Sequence, residues 1–170
     1  MKTISYKTVD KSAWERGPWD QEPDKLQWSD RSTGLPCLIV RNRIGCMCGY
    51  VGVQRGHPLY RKGVARCRKS VDVYDGVTYA DFCQQAEEAD GDGEARLICH
   101  VPGPGEPDDV WWIGFATSTS RDVHPALVKS LREMMDDALF SENPWHPTYK
   151  DVKFVKRECR MLARQLKAMA

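Results

Sequence analysis

The sequence has no long uninterrupted apolar run, and this absence argues against a membrane-spanning helix. None of its apolar segments approaches the ~18 residues that suggest a membrane-spanning helix. The opening segment MKTISYKTVDKSAWERG also lacks the apolar core of a signal peptide, so we expect a cytoplasmic protein with no membrane partner. The net charge of only +1 argues against a nucleic-acid binder that is basic over its whole surface.

The signature motifs of several enzyme classes are also missing. There is no Cys-x-x-Cys pair, no G-x-S-x-G nucleophile elbow and no phosphate-binding loop ending in Gly-Lys-Ser/Thr. A zinc site would have to be assembled from scattered candidates, which are Cys46, Cys48, Cys67, His57 and His100. We therefore expect no metal and no cofactor, and catalysis is not favoured.

Cysteine, by contrast, is frequent. The chain has seven cysteines, an odd number, and no export signal precedes them. These facts predict reduced thiols rather than a disulfide framework. Cys46 and Cys48 alternate within an apolar segment, which puts both thiols on one face of a strand and favours core packing over metal binding.

The 170 residues are enough for one domain with a hydrophobic core, and three regions differ in character. Region 1–36 is predicted to be an irregular arm in which Trp14, Trp19 and Trp28 serve as packing anchors. Region 37–122 is rich in strand-like segments, and region 123–170 is helical. Strands that precede helices predict an α+β fold with a mainly antiparallel sheet covered by two C-terminal helices.

Apolar and β-branched residues mark the predicted strands. Segments 37–41 and 46–53 predict a hairpin. Segments 96–101 and 110–117 predict a second pair of neighbouring strands, separated by a stretch rich in proline and glycine. Segment 70–74 predicts a short alternating strand.

Periodic apolar residues predict the helices, and residues 77–88 predict a strand start that runs into a short helix. A helix beginning at Pro125 would carry an apolar stripe made of Leu127, Val128, Leu131, Met135 and Leu139. Thr148 and Asp151 resemble a capping box for a long last helix. Its apolar face would carry Val152, Val155, Cys159, Leu162, Leu166 and Met169, and its other face is basic.

The end of segment 110–117 is the most informative candidate site. Four consecutive hydroxyl residues and then Asp122 follow an apolar run, which is typical of a core strand that delivers polar groups to a pocket. The alternative is that these hydroxyls only cap the next helix. We predict a pocket shared with the turn at 74–79, with three basic residues supplying charge for a phosphate. The ligand-binding candidates are Tyr74, Asp75, Thr78, Tyr79, Thr117, Ser118, Ser120, Asp122, Arg55, Arg61 and Lys62.

Six groups of residues spread over most of the chain carry a further signal. They are GPWDQEPDKLQW (17–28), TGLPCLIVRN (33–42), CGYVGV with GHPLY (48–60), VDVYDGVTYA (71–80), ICHVPGPGEPDDVWWIGF (98–115) and YKDVKFVKRECRMLARQL (149–166). Together they resemble a family of uncharacterised small proteins of bacteria and bacteriophages. The resemblance implies a phage or prophage accessory protein in the bacterial host cytoplasm, and it supplies no activity.

Two departures from the pattern of that family are informative. The family has a His-Gly-Gly run where this chain has Tyr74, Asp75 and Gly76. It has a Phe-Asp-Cys-Ala-His run where this chain has residues 115–119. If relatives use these residues as a metal or acid-base site, the resemblance implies that this chain has a remodelled pocket, better suited to holding a ligand than to cleaving one.

The leading hypothesis from the sequence is a phage-associated accessory protein that acts in counter-defence by binding. It would hold a host protein or a small phosphorylated, nucleotide-like ligand. One alternative is a small metal-dependent hydrolase or nuclease that uses His57, Asp72, Asp75 and His124. Another is nucleic-acid binding through the basic segment 55–69 and the last helix.

Overall fold

The computed structural model describes residues 1–83, 98–134 and 147–170. Within them the chain forms six strands and three α-helices. The strands are β1 (Ile4–Tyr6), β2 (Lys25–Ser29), β3 (Pro36–Arg41), β4 (Met47–Val53), β5 (Tyr79–Asp81) and β6 (Trp111–Ala116). The helices are α1 (Val64–Arg68), α2 (Val128–Met134) and α3 (Val152–Lys167).

The six strands form one antiparallel sheet in the order β1-β2-β3-β4-β6-β5. The predicted hairpin is confirmed, because β3 pairs with β4 and Ile39 lies opposite Gly49. Segment 110–117 is confirmed as a strand, and it lies beside β4 with Val53 opposite Trp111. The α+β class predicted from the sequence is therefore confirmed.

Helix α3 packs across β3 and β4 on one face of the sheet. Asp151 caps the helix by accepting a hydrogen bond from the Phe154 backbone N–H at 2.7 Å. The buried residues of the helix, at spacings of three and four, are Val155, Glu158, Cys159, Leu162, Ala163 and Leu166. The helix can approach closely because β4 has Gly49, where a Cβ atom would lie 2.7 Å from the Cys159 sulfur.

The other face of the sheet is buried as well. A second apolar cluster contains Leu38, Val40, Tyr50 and Trp112, which alternate along their strands with residues that face α3. Segments from outside the sheet pack on this cluster, including Cys83 and Ile98. The sheet is thus the middle layer of the domain.

The prediction of an irregular arm over 1–36 is wrong, because this region supplies β1 and β2. Trp19 and Trp28 are buried, as expected of packing anchors. The sequence does not predict the strand β2, because this strand contains Lys25 and Gln27, which are residue types usually exposed to solvent. Both are buried, and the Gln27 side chain binds the Val101 backbone through N–H···O contacts of 3.0 and 2.8 Å.

Two predicted strands are not found. Residues 71–73 form no strand, because the side-chain amide of Gln165 binds both the N–H and the C=O of Asp72 in place of a neighbouring strand. Residues 98–101 form no strand either, and β6 pairs with β4 and β5 instead. The rest of the predicted strand 96–101 and residues 84–88 of the predicted helix lie outside the described residues.

The helical predictions are confirmed for α3 and fail in part for α2. Leu127 and Leu131 are exposed, so the predicted apolar stripe does not pack on the sheet there, and Met135 and Leu139 lie outside the described residues. The predicted capping box is wrong, since Asp151 itself is the N-cap. Thr148 instead forms a bridge with Asp122.

The expectation that all thiols are reduced is wrong for one pair. Cys83 and Cys99 form a disulfide. The other five cysteines are free and buried. None of the described helices is long and apolar enough to cross a membrane.

Candidate functional site

The structure brings the turn at residue 74 and the end of β6 together. The Tyr74 hydroxyl donates a hydrogen bond of 2.7 Å to Oδ1 of Asp122. The Lys150 ammonium lies 3.8 Å from the same oxygen and 5.6 Å from the centre of the Tyr74 ring. Burial and the hydrogen bond to the Asp122 carboxylate both raise the pKa of Tyr74, so this phenol stays protonated at neutral pH.

Asp122 and Thr117, two of the polar residues that follow the core of β6, are already hydrogen-bonded within this chain. Oδ2 of Asp122 accepts from both the backbone N–H and the hydroxyl of Thr119, at 2.9 and 2.8 Å. The Thr117 hydroxyl is buried and donates to the Met47 carbonyl at 2.8 Å. Because the side chains of Asp122 and Thr117 form their hydrogen bonds with other groups of this chain, their geometry fits a structural junction better than a ligand pocket.

The remaining residues of the predicted pocket are spread around this junction. Asp75 is exposed in a left-handed turn conformation, with a φ of 53°. Thr78 is exposed, and the Tyr79 hydroxyl donates to the Phe82 carbonyl. Ser118 and Ser120 have no side-chain hydrogen bond within the described residues.

Arg55, Arg61 and Lys62 do not reach this junction, which corrects the proposed source of charge. They follow the C-terminal end of β4, where Val53 lies opposite Trp111. The Arg61 guanidinium lies 5.1 Å from the centre of the Phe82 ring, which itself packs on Trp111. Asp122 follows the opposite end of β6, roughly 20 Å away at ~3.3 Å per strand residue.

The four candidates for hydrolysis are not assembled into one site. Nε2 of His57 donates to the Leu166 carbonyl near the C-terminal end of α3, at 2.9 Å. His124 makes its contact with the Thr119 carbonyl instead, at 3.1 Å. Tyr74 packs on Phe154, near the N-terminal end of α3. The hydrogen bonds described above connect Tyr74 to Thr119, so Thr119 also lies by this end of the helix. The two histidines are therefore roughly 18 Å apart along a helix that rises ~1.5 Å per residue.

The free thiols are unsuited to nucleophilic catalysis. Burial raises the pKa of Cys37 and Cys46 to about 12 and that of Cys48 to about 11. Burial also raises the pKa of Cys67 and Cys159. Since the thiolate is the reactive form, these five cysteines are packing residues.

A cationic cleft lies between α3 and the turn that follows β2, and its volume is about 420 Å³. Lys156, Arg160 and Arg164 repeat every four residues and so form one stripe on the helix. Arg31 projects from the turn on the other side. The full lining is Thr3, Trp28, Ser29, Asp30, Arg31, Ser32, Lys156, Arg160 and Arg164.

Within residues 1–83, 98–134 and 147–170, no acidic side chain pairs with the three arginines of this cleft. Arg31, Arg160 and Arg164 are exposed and have no ion-pair partner in the part of the chain that the structure describes. The Lys156 ammonium lies over the Trp28 ring at 5.0 Å, which holds it beside the cleft. Like charges at this spacing on a helix repel, so an anion placed between them is favoured.

The one carboxylate of the cleft belongs to the turn and not to a ligand site. Oδ2 of Asp30 accepts from the Ser32 hydroxyl and from the Thr33 N–H and hydroxyl, at 2.6, 3.0 and 2.9 Å. Burial alone would raise the pKa of Asp30, but these hydrogen bonds outweigh burial and hold the pKa below 3.8. They also shape the turn that presents Arg31.

We expect Asp30→Asn to destabilise the protein by about 1–2 kcal/mol at pH 7, because charge-assisted hydrogen bonds are lost. A carboxyl whose pKa is lowered on folding stabilises the fold above its unfolded pKa of 3.8, and this contribution disappears as the pH falls through the lower folded value. Urea unfolding at pH 7 and at about pH 3 should therefore show a smaller difference between variant and wild type in acid. An equal difference at both pH values would contradict this role of Asp30.

No protein family, curated protein or solved structure that we compared matches this chain. Its function therefore has to be argued from its own geometry. The basic stripe of α3 is visible in the sequence, but the position of Arg31 beside this stripe is not. Arg31 joins the stripe only because β2 lies in the sheet beside β3, and that strand was not predicted.

Proposed function

We propose that this protein binds a small phosphorylated, nucleotide-like ligand in the cleft between α3 and the turn after β2. The proposal rests on three guanidinium groups around one cleft, those of Arg31, Arg160 and Arg164, which have no ion-pair partner among the residues that the structure describes. Guanidinium groups pair with phosphate oxygens in a two-pronged geometry, and a fixed cluster of them is a common way to hold phosphate.

The size of the cleft favours a small ligand over a nucleic-acid duplex. About 420 Å³ lies within the ~300–1,000 Å³ typical of small-molecule sites. Arg160 and Arg164 line the cleft from α3 and Arg31 lines it from the turn, so a ligand would contact both elements. A duplex would instead require a long basic surface, which the overall charge of +1 does not favour.

The biological setting is part of the same proposal. The resemblance to bacteriophage proteins suggests an accessory role in counter-defence, in which the protein sequesters a nucleotide signal of the host. Simple sequestration requires binding without turnover, and the separation of His57 from His124 agrees with that. A host protein as the partner, and a cytoplasmic location, stay predictions from the sequence.

Calorimetric titration with pyrophosphate and with ATP tests the proposal. We expect both probes to bind the wild type, and the double variant R160E/R164E to bind them at least roughly tenfold more weakly, which corresponds to ~1.4 kcal/mol. Both arginines are exposed, so the variant should unfold at the same temperature as the wild type.

The matched control is R66E/K69E, which changes the net charge equally. Arg66 and Lys69 are exposed on or next to α1, which contacts β5 at the edge of the sheet farthest from β1. This control should bind both probes as the wild type does. Equal losses in the two variants would mean unspecific attraction, and no binding by the wild type would refute the proposal.

A further inference from the structure

A second cluster of chemically active side chains lies beside β5 and β6. The Cys83 sulfur, a ring nitrogen of His100 and a carboxylate oxygen of Asp108 all lie within 4.8 Å of one another. They come from three separate segments. Cys83 follows β5, His100 lies in the segment 98–101, and Asp108 lies just before β6. Thiolate, imidazole and carboxylate are the protein ligands of zinc.

The His100 side chain supplies an independent sign that a ligand is bound here. It is only 7% exposed, and its Nδ1 is buried with no hydrogen-bond partner in the described chain. The ring packs against Trp112 with 5.3 Å between ring centres, which fixes its position. Buried nitrogens nearly always have a partner, so an unpartnered one on a histidine of this cluster points to a ligand that the described chain does not supply.

Cys99 completes the set. Its sulfur is bonded to the Cys83 sulfur, and breaking that bond turns one disulfide into two thiolate ligands. We propose that the reduced protein holds one zinc ion with Cys83, Cys99, His100 and Asp108. Two sulfurs, one nitrogen and one oxygen suit a tetrahedral zinc ion and do not suit magnesium or calcium, which prefer oxygen ligands.

Metal binding and the disulfide exclude each other, which makes the site sensitive to reduction. A phosphine and one water convert the disulfide into two thiols and leave as the phosphine oxide. Zinc then replaces the two thiol protons, which pass to the buffer. In a cell, two small thiols would supply the two electrons and leave as their own disulfide. The proposal does not depend on anion binding in the cleft.

Cobalt(II) substitution tests the site on the whole chain. After reduction with a phosphine in the absence of oxygen, one equivalent of Co²⁺ should produce the strong visible bands of a tetrahedral site and a near-ultraviolet thiolate band. Added Zn²⁺ should remove both. The oxidised protein should show neither band.

Variants then assign the ligands. His100→Ala and Asp108→Asn should each weaken Co²⁺ binding by about 100-fold or more, beyond the ~10–100-fold caused by the loss of an outer-sphere partner. Asp108 is exposed, so Asp108→Asn keeps the test valid if His100→Ala fails to fold. His124→Ala removes a histidine elsewhere and should leave the bands intact. No bands in the reduced wild type, or bands unchanged by Asp108→Asn, would overturn the proposal.

Discussion

Replacing Arg41 by methionine should lower the free energy of unfolding by about 3 kcal/mol, measured by urea denaturation at pH 7. The Arg41 side chain is 0% exposed, and its Nε donates to Oδ1 of Asp24 at 2.9 Å. Its Nη1 donates to the Gly45 carbonyl at 2.7 Å. Methionine fills similar space but leaves the Asp24 carboxylate without this partner, and burying an unpaired charge is costly.

The expected loss lies at the lower end of the ~3–5 kcal/mol usual for such changes, because Asp24 keeps a second cation. The Lys11 ammonium lies 2.6 Å from Oδ1 of Asp24. The control is Arg16→Ala, since the Arg16 side chain is 95% exposed and its ion pair with Asp20 spans 3.5 Å. That variant should change stability by less than ~0.5 kcal/mol. Similar losses in the two variants would show that Arg41 is not buried.

Replacing Leu162 by alanine should cost about 2–5 kcal/mol of stability, because the change leaves a cavity between α3 and the sheet. Leu162 is 0% exposed in the cluster that contains Ile39 and Val51. Its neighbour Met161 is 48% exposed, so Met161→Ala is a control on the same helix. That control should cost less than ~0.5 kcal/mol.

This second comparison also tests how the cleft is built. The helix can present Arg160 and Arg164 to the cleft only if Leu162 faces the sheet, since residues two apart on a helix point to nearly opposite sides. Thermal unfolding followed by circular dichroism measures both variants. A larger loss for Met161→Ala than for Leu162→Ala would mean that the helix faces the sheet with its other side.

The parts of the fold with local signals were predictable from the sequence. The strands β3, β4 and β6 are rich in apolar, aromatic and β-branched residues, and the spacing of Val155, Cys159, Leu162 and Leu166 specifies the inner face of α3. Such patterns depend only on neighbouring residues. Each of these elements also packs in the central layer or directly on it, where burial follows hydrophobicity.

The parts that failed depend on distant partners. Gln27 can lie in a buried strand because Val101 satisfies its amide, and no local pattern reveals that pairing. The alternation at 71–73 looked like a strand, yet a side chain of α3 takes the place of the neighbouring strand. The disulfide of Cys83 with Cys99 likewise requires two distant segments to meet.

The candidate site also has one part that the sequence predicts and another part that depends on distant contacts. The sequence suggested that Tyr74 and the end of β6 converge, and the two do meet at Asp122. It could not show that Asp122 is already satisfied by Thr119, since that depends on the turn geometry. Only their charge suggests that Arg55, Arg61 and Lys62 belong to this junction, and the antiparallel pairing of β4 with β6 puts them at the other end of β6.

A crystal structure of the protein soaked with pyrophosphate would show directly whether the cationic cleft binds phosphate. We expect electron density for the anion between Arg31 on one side and Arg160 and Arg164 on the other, with guanidinium nitrogens within ~3 Å of its oxygens. Density beside Arg55, Arg61 and Lys62 instead, or an empty cleft at saturating pyrophosphate, would contradict it.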